Sequence, residues 1–109
     1  MPVLLLMTTG RKTGTRRTVP VMYLRDGGNY VVTASNGGRD QHPAWWLNLQ
    51  RNPVARIEVG GSQQAVVAEQ VGPEAKHDLW AQLVERAPFF EGYQQRTSRE
   101  IPMVILRPR

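Results

Sequence analysis

The sequence predicts a mainly β (α+β) fold, a small closed or split barrel of about six antiparallel strands with two helices. Short apolar or alternating runs recur along the chain, and two pairs of them are joined by glycine-rich tight turns. Strands joined as hairpins pair antiparallel, and many short strands with few helices favour a barrel over a sandwich. The chain has 109 residues and no visible linker or repeat, so residues 1–109 are predicted to form a single domain.

The first half of the chain contains three predicted strands. Val3–Met7 is wholly apolar, which predicts a strand buried on both faces. Thr18–Arg25 is rich in β-forming residues, and its Pro20 cannot donate to a ladder, so it marks a strand start, an edge or a bulge. Asp26–Asn29 is a strong turn signal, and Tyr30–Ala34 is the predicted strand that follows it.

Two segments have the features of helices. Pro43–Gln50 begins with a proline suited to a first helical position. Its Trp45 and Trp46 would project about 100° apart, so one is expected in the core and the other against a flat ring or a subunit. The main helix begins at Gly72–Glu74 and ends at Pro88. Its apolar face comprises Leu79, Trp80, Leu83, Val84 and Ala87.

The second half also supplies the remaining strands. Val54–Val59 alternates like a half-exposed strand, Gly60–Gly61 turns the chain, and Gln64–Val71 is the hairpin partner. Phe89–Tyr93 is expected to be an aromatic loop or a short turn of helix. Ile101–Leu106 is predicted to be a last, buried strand.

The positive charge of the chain is unevenly distributed. The net charge is +5, and residues 1–25 carry five cations and no acid, whereas the rest of the chain is balanced. Four of these cations lie in a predicted loop, Thr8–Thr18, which is rich in glycine and threonine. This asymmetry favours an anionic partner at the loop, although a solvated basic loop or a nuclear-import tag has similar composition. The four loop cations are Arg11, Lys12, Arg16 and Arg17.

The cationic loop is not a P-loop, because only three residues separate Gly10 from Gly14 and Thr15 follows. Freed backbone N–H groups, hydroxyls and paired cations can still surround a phosphate or a carboxylate. A second loop, Ser35–His42, leads into a predicted helix N-terminus, which also favours an anion, and its glycines allow close approach of a ligand. An ordinary strand-to-helix connection would have the same pattern.

Several classes of chemistry are disfavoured by what the sequence lacks. It contains no cysteine, so disulfides, thiolate nucleophiles and cysteine zinc sites are excluded. No histidine–acid spacing indicates a metal, and Ser35 lacks the context of a nucleophile elbow. If the protein is an enzyme, a bound cofactor is therefore expected to carry the chemistry. The longest apolar run is far too short to span a membrane, so a soluble, cytoplasmic protein without stable membrane insertion is expected.

Separated motifs along nearly the whole chain carry a resemblance to a known family. They are Thr9–Gly14 with Arg17, Tyr23–Gly27, Ala34–Gly38, Pro43–Trp45 with Leu47–Leu49, Asn52–Pro53, Tyr93–Gln94 with Arg96–Thr97, and Ile101–Pro102. In these motifs the chain resembles the deazaflavin-dependent nitroreductases and quinone reductases of actinobacteria. That family has a split β-barrel like that of flavin-binding oxidases.

The resemblance implies a cofactor, coenzyme F-420, which is an 8-hydroxy-5-deazaflavin with a phosphodiester and an oligoglutamate tail. It places Arg11, Lys12 and Arg17 at the phosphate. The other cofactor-binding residues that it implies are Thr13, Thr18, Pro20, Val21, Met22, Ala34, Ser35, Asn36, Gly37, Ala44, Trp45 and Asn48. No side chain is implied to be catalytic, because the cofactor carries the chemistry.

The implied reaction is hydride transfer from the reduced cofactor to an electron-poor small molecule such as a quinone, an activated alkene or a nitroaromatic. Tyr93 and Phe90 are the implied substrate-binding residues. Nitroimidazole-reducing relatives have several tyrosines after the main helix, but here the matching positions are Ala87, Phe90 and Tyr93. Only one phenol remains, so the resemblance does not extend to nitroimidazole activation or to a proton donor among several tyrosines. Many relatives also have a longer segment before the first strand, whereas here the first predicted strand begins at Val3, so the resemblance does not support membrane contact or a lid made by that segment.

Two other functions are compatible with the same residues. An FMN oxidoreductase could use the same barrel, and it would purify as a yellow protein. A small basic barrel that binds nucleic acid is disfavoured, because the cations cluster in one loop and not along a sheet face with interleaved aromatic residues. An apolar barrel face could also pair two copies of the chain into a homodimer.

Overall fold

The computed structural model describes residues 1–109 as a six-stranded closed barrel with three helices and one 3-10 turn. The strands are β1 (Val3–Thr9), β2 (Arg16–Asp26), β3 (Asn29–Thr33), β4 (Val54–Val59), β5 (Ser62–Gln70) and β6 (Met103–Pro108). They close in the order β1-β2-β3-β6-β5-β4, and every pairing is antiparallel. The predicted fold class is confirmed, as are the hairpins that turn at Gly27–Gly28 and Gly60–Gly61.

The cationic segment is more ordered than the sequence predicted. β1 and β2 pair as far as Thr9 and Arg16, so only residues 10–15 form the connection between them. Arg16 and Arg17 therefore lie on a strand and not in a loop, and the prediction of a loop over Thr8–Thr18 was too long. Strand pairing is favoured over a longer loop because each residue added to the ladder forms hydrogen bonds with further backbone polar groups.

Pro20 lies inside β2, opposite Leu5 of β1. It is tolerated because β3 pairs with β2 only from Tyr23 to Asp26, so β2 is an edge strand on its other side at Pro20. The edge interpretation of Pro20 is therefore confirmed, whereas a strand start or a bulge is not.

The barrel interior forms the main core, and helix α1 (Ala44–Arg51) packs against it. Trp45 and Trp46 are both buried, with 9% and 5% of their surfaces exposed, and both belong to this core. The expectation that only one of them would be in the core was wrong. The buried arc of α1 also includes Asn48 and Leu49, so it is wide enough to take two adjacent rings.

A second core lies on the outside of the barrel, where α2 (Pro73–Arg86) and α3 (Phe89–Gln95) cover one face. Val31 on β3 pairs with Ile105 on β6, and these two side chains belong to the outer core. The next pair along, Val32 and Val104, belongs to the inner core, as the alternation of a strand requires. None of the helices is long and apolar enough to cross a bilayer.

Candidate functional site

A cavity of about 1120 Å³ opens between the β1–β2 connection, the loop before α1, and α3. Its lining residues come from parts of the chain that are distant in sequence. They are Thr8, Gly10, Arg11, Lys12, Thr13, Arg17, Val19, Pro20, Val21, Met22, Thr33, Ser35, Asn36, Gly37, Arg39, Pro43, Ala44, Trp45, Asn48, Phe89, Phe90, Tyr93 and Arg96. This volume lies at the upper end of the range found for small-molecule binding sites, so the cavity can hold a ligand of the size of a cofactor.

The cavity is strongly cationic. Five of its lining side chains are Lys or Arg, and none is Asp, Glu or His. They are Arg11, Lys12, Arg17, Arg39 and Arg96. None of the five forms an ion pair, since the two salt bridges of the protein join Lys76 to Glu100 and Arg107 to Glu69. Uncompensated positive charge in a concave site attracts and concentrates anions.

A buried amide holds the cationic connection in place. Asn48 of α1 is 3% exposed, and its Oδ1 accepts hydrogen bonds from the backbone N–H of Arg11 at 3.1 Å and from Arg11 Nη1 at 3.0 Å. Its Nδ2 donates to the buried hydroxyl of Thr8 at 3.1 Å. Asn48 thereby fixes both the backbone and the guanidinium of Arg11, so it contributes to the site chiefly through Arg11.

The connection itself is a tight turn. The N–H of Gly10 donates to the carbonyl of Thr15 at 2.7 Å, and the N–H of Gly14 donates to the carbonyl of Gly10 at 2.8 Å. The hydroxyls of Thr13 and Thr15 lie 2.6 Å apart and share a hydrogen bond. Arg11 and Lys12 are therefore presented from a short, internally bonded turn, which lowers the entropy lost when an anion binds.

The second predicted loop forms another wall, and its backbone is unusual. Asn36, Gly37 and Gly38 all have positive φ angles, of 48°, 65° and 83°. Asn36 Nδ2 donates to the carbonyl of Gln41 at 3.0 Å, which closes the loop on itself. A Cβ added to Gly38 would lie 2.8 Å from the carbonyl oxygen of Tyr93, so glycine allows this loop to touch α3.

Arg99 lies behind this loop, outside the cavity lining. His42, next to Arg99 Nη1 at 3.2 Å, has its pKa lowered from the ordinary 6.5 by burial and, to a lesser extent, by the Arg99 charge. The pKa of Arg99 is also lowered by burial, and the nearby Asp40 opposes that shift. Neutral His42 can accept a hydrogen bond from Arg99, whereas protonated His42 would place two cations in contact.

Three aromatic rings of α3 form the remaining wall. The Phe89 and Phe90 rings stack with centroids 5.0 Å apart, and the Tyr93 ring meets them edge-on at 5.6 and 5.5 Å. Phe89 is 46% exposed, so a large apolar ring lies open at the cavity. Arg96 lies over the Tyr93 ring at 5.8 Å. Such a wall is suited to a flat, apolar or electron-poor ligand.

The structure brings the predicted site residues together with two exceptions. Thr18 is exposed on β2 but does not line the cavity, although its neighbours Arg17 and Val19 do. Ala34 is fully buried in the inner core, with its N–H bonded to the carbonyl of Pro102. The predicted substrate residues Phe90 and Tyr93 both line the cavity.

Eight lining residues were not predicted: Thr8, Gly10, Val19, Thr33, Arg39, Pro43, Phe89 and Arg96. Arg39 lies inside the second loop, which the sequence indicated as a ligand site, and Phe89 lies inside the aromatic segment, which only the family resemblance connected to the site. Thr8 and Gly10 lie inside the predicted cationic loop, whereas no pattern in the sequence distinguishes Thr33 from ordinary strand residues.

Comparisons with known proteins agree over almost the whole chain. The family model described as F420H(2)-dependent quinone reductase matches residues 1–108. An F420H(2)-dependent quinone reductase of Mycobacterium tuberculosis is 44% identical over 114 residues, covering 99% of this chain and 74% of that protein. A solved F420-H2 dependent reductase superposes with a TM-score of 0.87 at 34% identity, covering 97% of this chain and 94% of the other. A second solved structure, described as a domain-swapped dimer, has a TM-score of 0.88 at 34% identity, with 97% and 80% covered.

Proposed function

The chain belongs to the F420H(2)-dependent quinone reductase family, and we propose that it is an enzyme that transfers a hydride from reduced coenzyme F-420 to a quinone. The observation that carries this proposal is the composition of the cavity, which combines five unpaired cations, no acid and an open aromatic wall. The cations suit a polyanionic cofactor, and the aromatic wall suits a flat acceptor.

The residues at one side of the cavity fit the phosphate and acidic tail of this cofactor. Arg11, Lys12 and Arg17 line the cavity without an acidic partner, so their charges are available to an anion. Arg11 is already held by Asn48. The hydroxyl of Thr13 adds a neutral donor on the same turn. Charge-assisted hydrogen bonds of this kind are the strong ones for phosphate.

The apolar lining fits the tricyclic ring. Pro20, Val21 and Met22 supply one stretch of β2, and Trp45 supplies an aromatic surface from α1. A flat ring held among such side chains is separated from water, and alignment then depends on rigid neighbours.

When bound, the reduced deazaflavin supplies the hydride from its C5. The chain's own contribution is binding, orientation and exclusion of water, because no Asp, Glu or His lines the cavity. Tyr93 is the one lining residue with a phenol. We assign to its hydroxyl a hydrogen bond to an acceptor oxygen, and to Phe89 and Phe90 the apolar contact with the acceptor ring.

The test is a fluorescence titration with oxidised coenzyme F-420, followed by a screen of quinones, activated alkenes and nitroaromatics with the reduced cofactor. Saturable binding at micromolar protein and turnover of a quinone are expected. Removing two charges in Arg11→Met/Lys12→Met should weaken binding about 100-fold, since each charge-assisted bond contributes about 1.5 kcal/mol or more. Arg86→Met, which removes an exposed charge outside the cavity, should leave the affinity unchanged.

Absence of saturable binding would reject the proposal. FMN that copurifies with the protein and binds more tightly than the deazaflavin would favour the flavin alternative. Nucleic-acid binding is not favoured, because the unpaired cations line a cavity with apolar walls and do not follow an exposed sheet face. The cytoplasmic location stays a prediction, which cell fractionation would test.

We also propose that the chain forms a homodimer. One of the similar solved structures is described as a domain-swapped dimer. Val3 and Met22 face each other across β1 and β2 and are 51% and 39% exposed, so two apolar side chains lie open at one place on the barrel. Light scattering coupled to gel filtration would measure the mass, and a monomer at all concentrations tested would refute this proposal.

A further inference from the structure

Arg99 has more polar contacts than any side chain of the cavity, yet it does not line the cavity. Its Nη2 donates to the carbonyl oxygens of Ser35 at 2.9 Å and Ala34 at 3.3 Å. Its Nε donates to the carbonyl of Arg39 at 2.9 Å, and its Nη1 meets His42 Nδ1 at 3.2 Å. One planar guanidinium thus joins both ends of the loop formed by residues 34–42.

This loop needs a restraint from outside itself. Three consecutive residues, Asn36, Gly37 and Gly38, have positive φ angles. Two of the three are glycines, which have many other conformations available, so ordering them costs more entropy than ordering other residues. Ser35, Asn36 and Gly37 line the cavity, so any alternative conformation of the loop would change the shape of the proposed cofactor site.

The segment that carries Arg99 also fixes the end of α3. Gln94 Nε2 donates to the carbonyl of Arg99 at 2.8 Å, and Gln94 Oε1 accepts from the N–H of Ile101 at 3.0 Å. The hydroxyl of Thr97 donates to Asp40 at 2.8 Å. The chain around Arg99 is therefore bonded both to α3 and to the 34–42 loop.

We propose that Arg99 is a positioning residue that sets the spacing between the loop wall at Ser35–Gly37 and the aromatic wall at Phe89–Tyr93. This inference rests on the proposed function, in which the first wall contacts the cofactor and the second contacts the acceptor. The two reactants of a hydride transfer must be held about 3–3.5 Å apart, and a misplacement of about 1 Å can cost about 100-fold in rate. Arg99 acts through the walls and touches neither reactant.

Arginine is suited to this role and lysine is not. The guanidinium presents five donors in a fixed plane, which lets it bond three carbonyls and an imidazole at once. An ammonium has three donors on one atom and cannot reach groups on both ends of the loop. Arg99→Lys therefore keeps the positive charge and removes the planar arrangement of hydrogen-bond donors. Arg107→Lys is the matched control, because Arg107 is an exposed residue of β6 that pairs with Glu69 outside the cavity.

The first measurement is amide hydrogen exchange on the full chain without cofactor. In Arg99→Lys the two hydrogen-bonded amides of residues 35–39, those of Gly38 and Arg39, should exchange at least about 10-fold faster, while those of β1 and β6 stay as in the unaltered protein. Arg107→Lys should leave residues 35–39 unchanged. This readout does not depend on enzyme activity, so it distinguishes failure of the positioning role from failure of the proposed function.

The second measurement is the single-turnover rate of hydride transfer, with cofactor and quinone both saturating. Arg99→Lys should lower this rate about 10- to 100-fold, with a change in cofactor Kd of less than about 3-fold. Unchanged exchange at residues 35–39 would overturn the proposal. So would a rate that returns to that of the unaltered protein once the cofactor saturates, because Arg99 would then affect binding alone. Faster exchange over the whole barrel would also overturn it, since Arg99 would then serve general stability.

Discussion

Replacing Asn48 by alanine should separate indirect support of the site from direct contact with the cofactor. The buried amide of Asn48 makes three hydrogen bonds, two to Arg11 and one to Thr8. Alanine removes all three and leaves the Thr8 hydroxyl, which is 2% exposed, without its partner. Arg11 is exposed, so water can satisfy its freed N–H groups.

The expected loss of stability follows from these differences in burial. A buried hydroxyl left without a partner costs about 1–3 kcal/mol, whereas the bonds to exposed Arg11 contribute about 0.5 kcal/mol or less each after water replaces them. The total is about 1–4 kcal/mol. With an unfolding entropy of about 2.1 cal/mol/K per residue, a chain of this length should melt roughly 4–17 °C lower.

The expected loss of affinity is specific to the phosphate. Without Asn48, Arg11 must lose backbone and side-chain freedom when the cofactor binds, so binding of coenzyme F-420 should weaken about 10-fold. A phosphate-free deazaflavin alcohol does not use Arg11, so its affinity should change less than about 2-fold. Fluorescence titration measures both ligands, and thermal unfolding measures the stability.

Asn52→Ala is the matched control for this prediction. Asn52 follows α1, and its side chain accepts a hydrogen bond from the N–H of Val54 at 3.2 Å at an exposed position. Its loss should cost about 1 kcal/mol of stability and leave the affinity for both ligands unchanged. If Asn48→Ala weakens both ligands equally, Asn48 contacts the ring directly and the indirect role is wrong.

Three further predictions concern the 34–42 loop and the aromatic wall. Gly38→Ala should destabilise the fold by about 3 kcal/mol in urea unfolding, because the new Cβ overlaps the carbonyl oxygen of Tyr93 at 2.8 Å in addition to the strain of a positive φ. Gly27→Ala, with positive φ but open space around it, should cost only about 1 kcal/mol, and equal losses would contradict the close contact. The pKa of His42 is lowered in the fold, so its contribution to stability is fully present above pH 6.5 and is lost as the pH falls from there towards the lowered pKa. Melting curves between pH 8 and 5 should show this loss and His42→Gln should reduce it, whereas identical pH profiles would show that neither the burial of His42 nor its contact with Arg99 makes stability depend on pH. Tyr93→Phe should lower kcat/KM for a quinone about 3- to 10-fold while the cofactor Kd stays constant, and unchanged kinetics would remove the phenol from the proposed acceptor site.

The strands and hairpins were predictable because they depend on local signals. Glycine turns at Gly27–Gly28 and Gly60–Gly61 fixed both hairpins, and alternation or apolar runs located the strands between them. The extent of β2 was less predictable, because Pro20 is unfavourable in most strands and is tolerated here only where β3 does not reach it. That information lies in the register between strands and not in the local sequence.

The residues of the cavity also divide into those that have a local sequence signal and those that do not. Arg11 and Lys12 were indicated by their charge density, whereas Phe90 and Tyr93 of the aromatic wall were assigned to the site only by the family resemblance. Arg99 was missed because a single arginine near the end of the chain carries no local signal. Its role depends on carbonyl groups more than fifty residues away in sequence, at Ala34 and Ser35.

Asn48 and Arg99 have the same structural role at two different walls of the cavity. Each is a polar side chain that bonds backbone groups of a cavity wall, Asn48 at the cationic turn and Arg99 at the 34–42 loop. Neither wall is held by regular secondary structure alone, because the turn and the loop lie outside the strand ladders. In a site whose chemistry comes from the cofactor, alignment is the main property that the chain can supply. A change at Asn48 should therefore alter the affinity for the cofactor, and a change at Arg99 the rate of hydride transfer, more than a change of equal size at Val32 or Val104, which are buried in the barrel core.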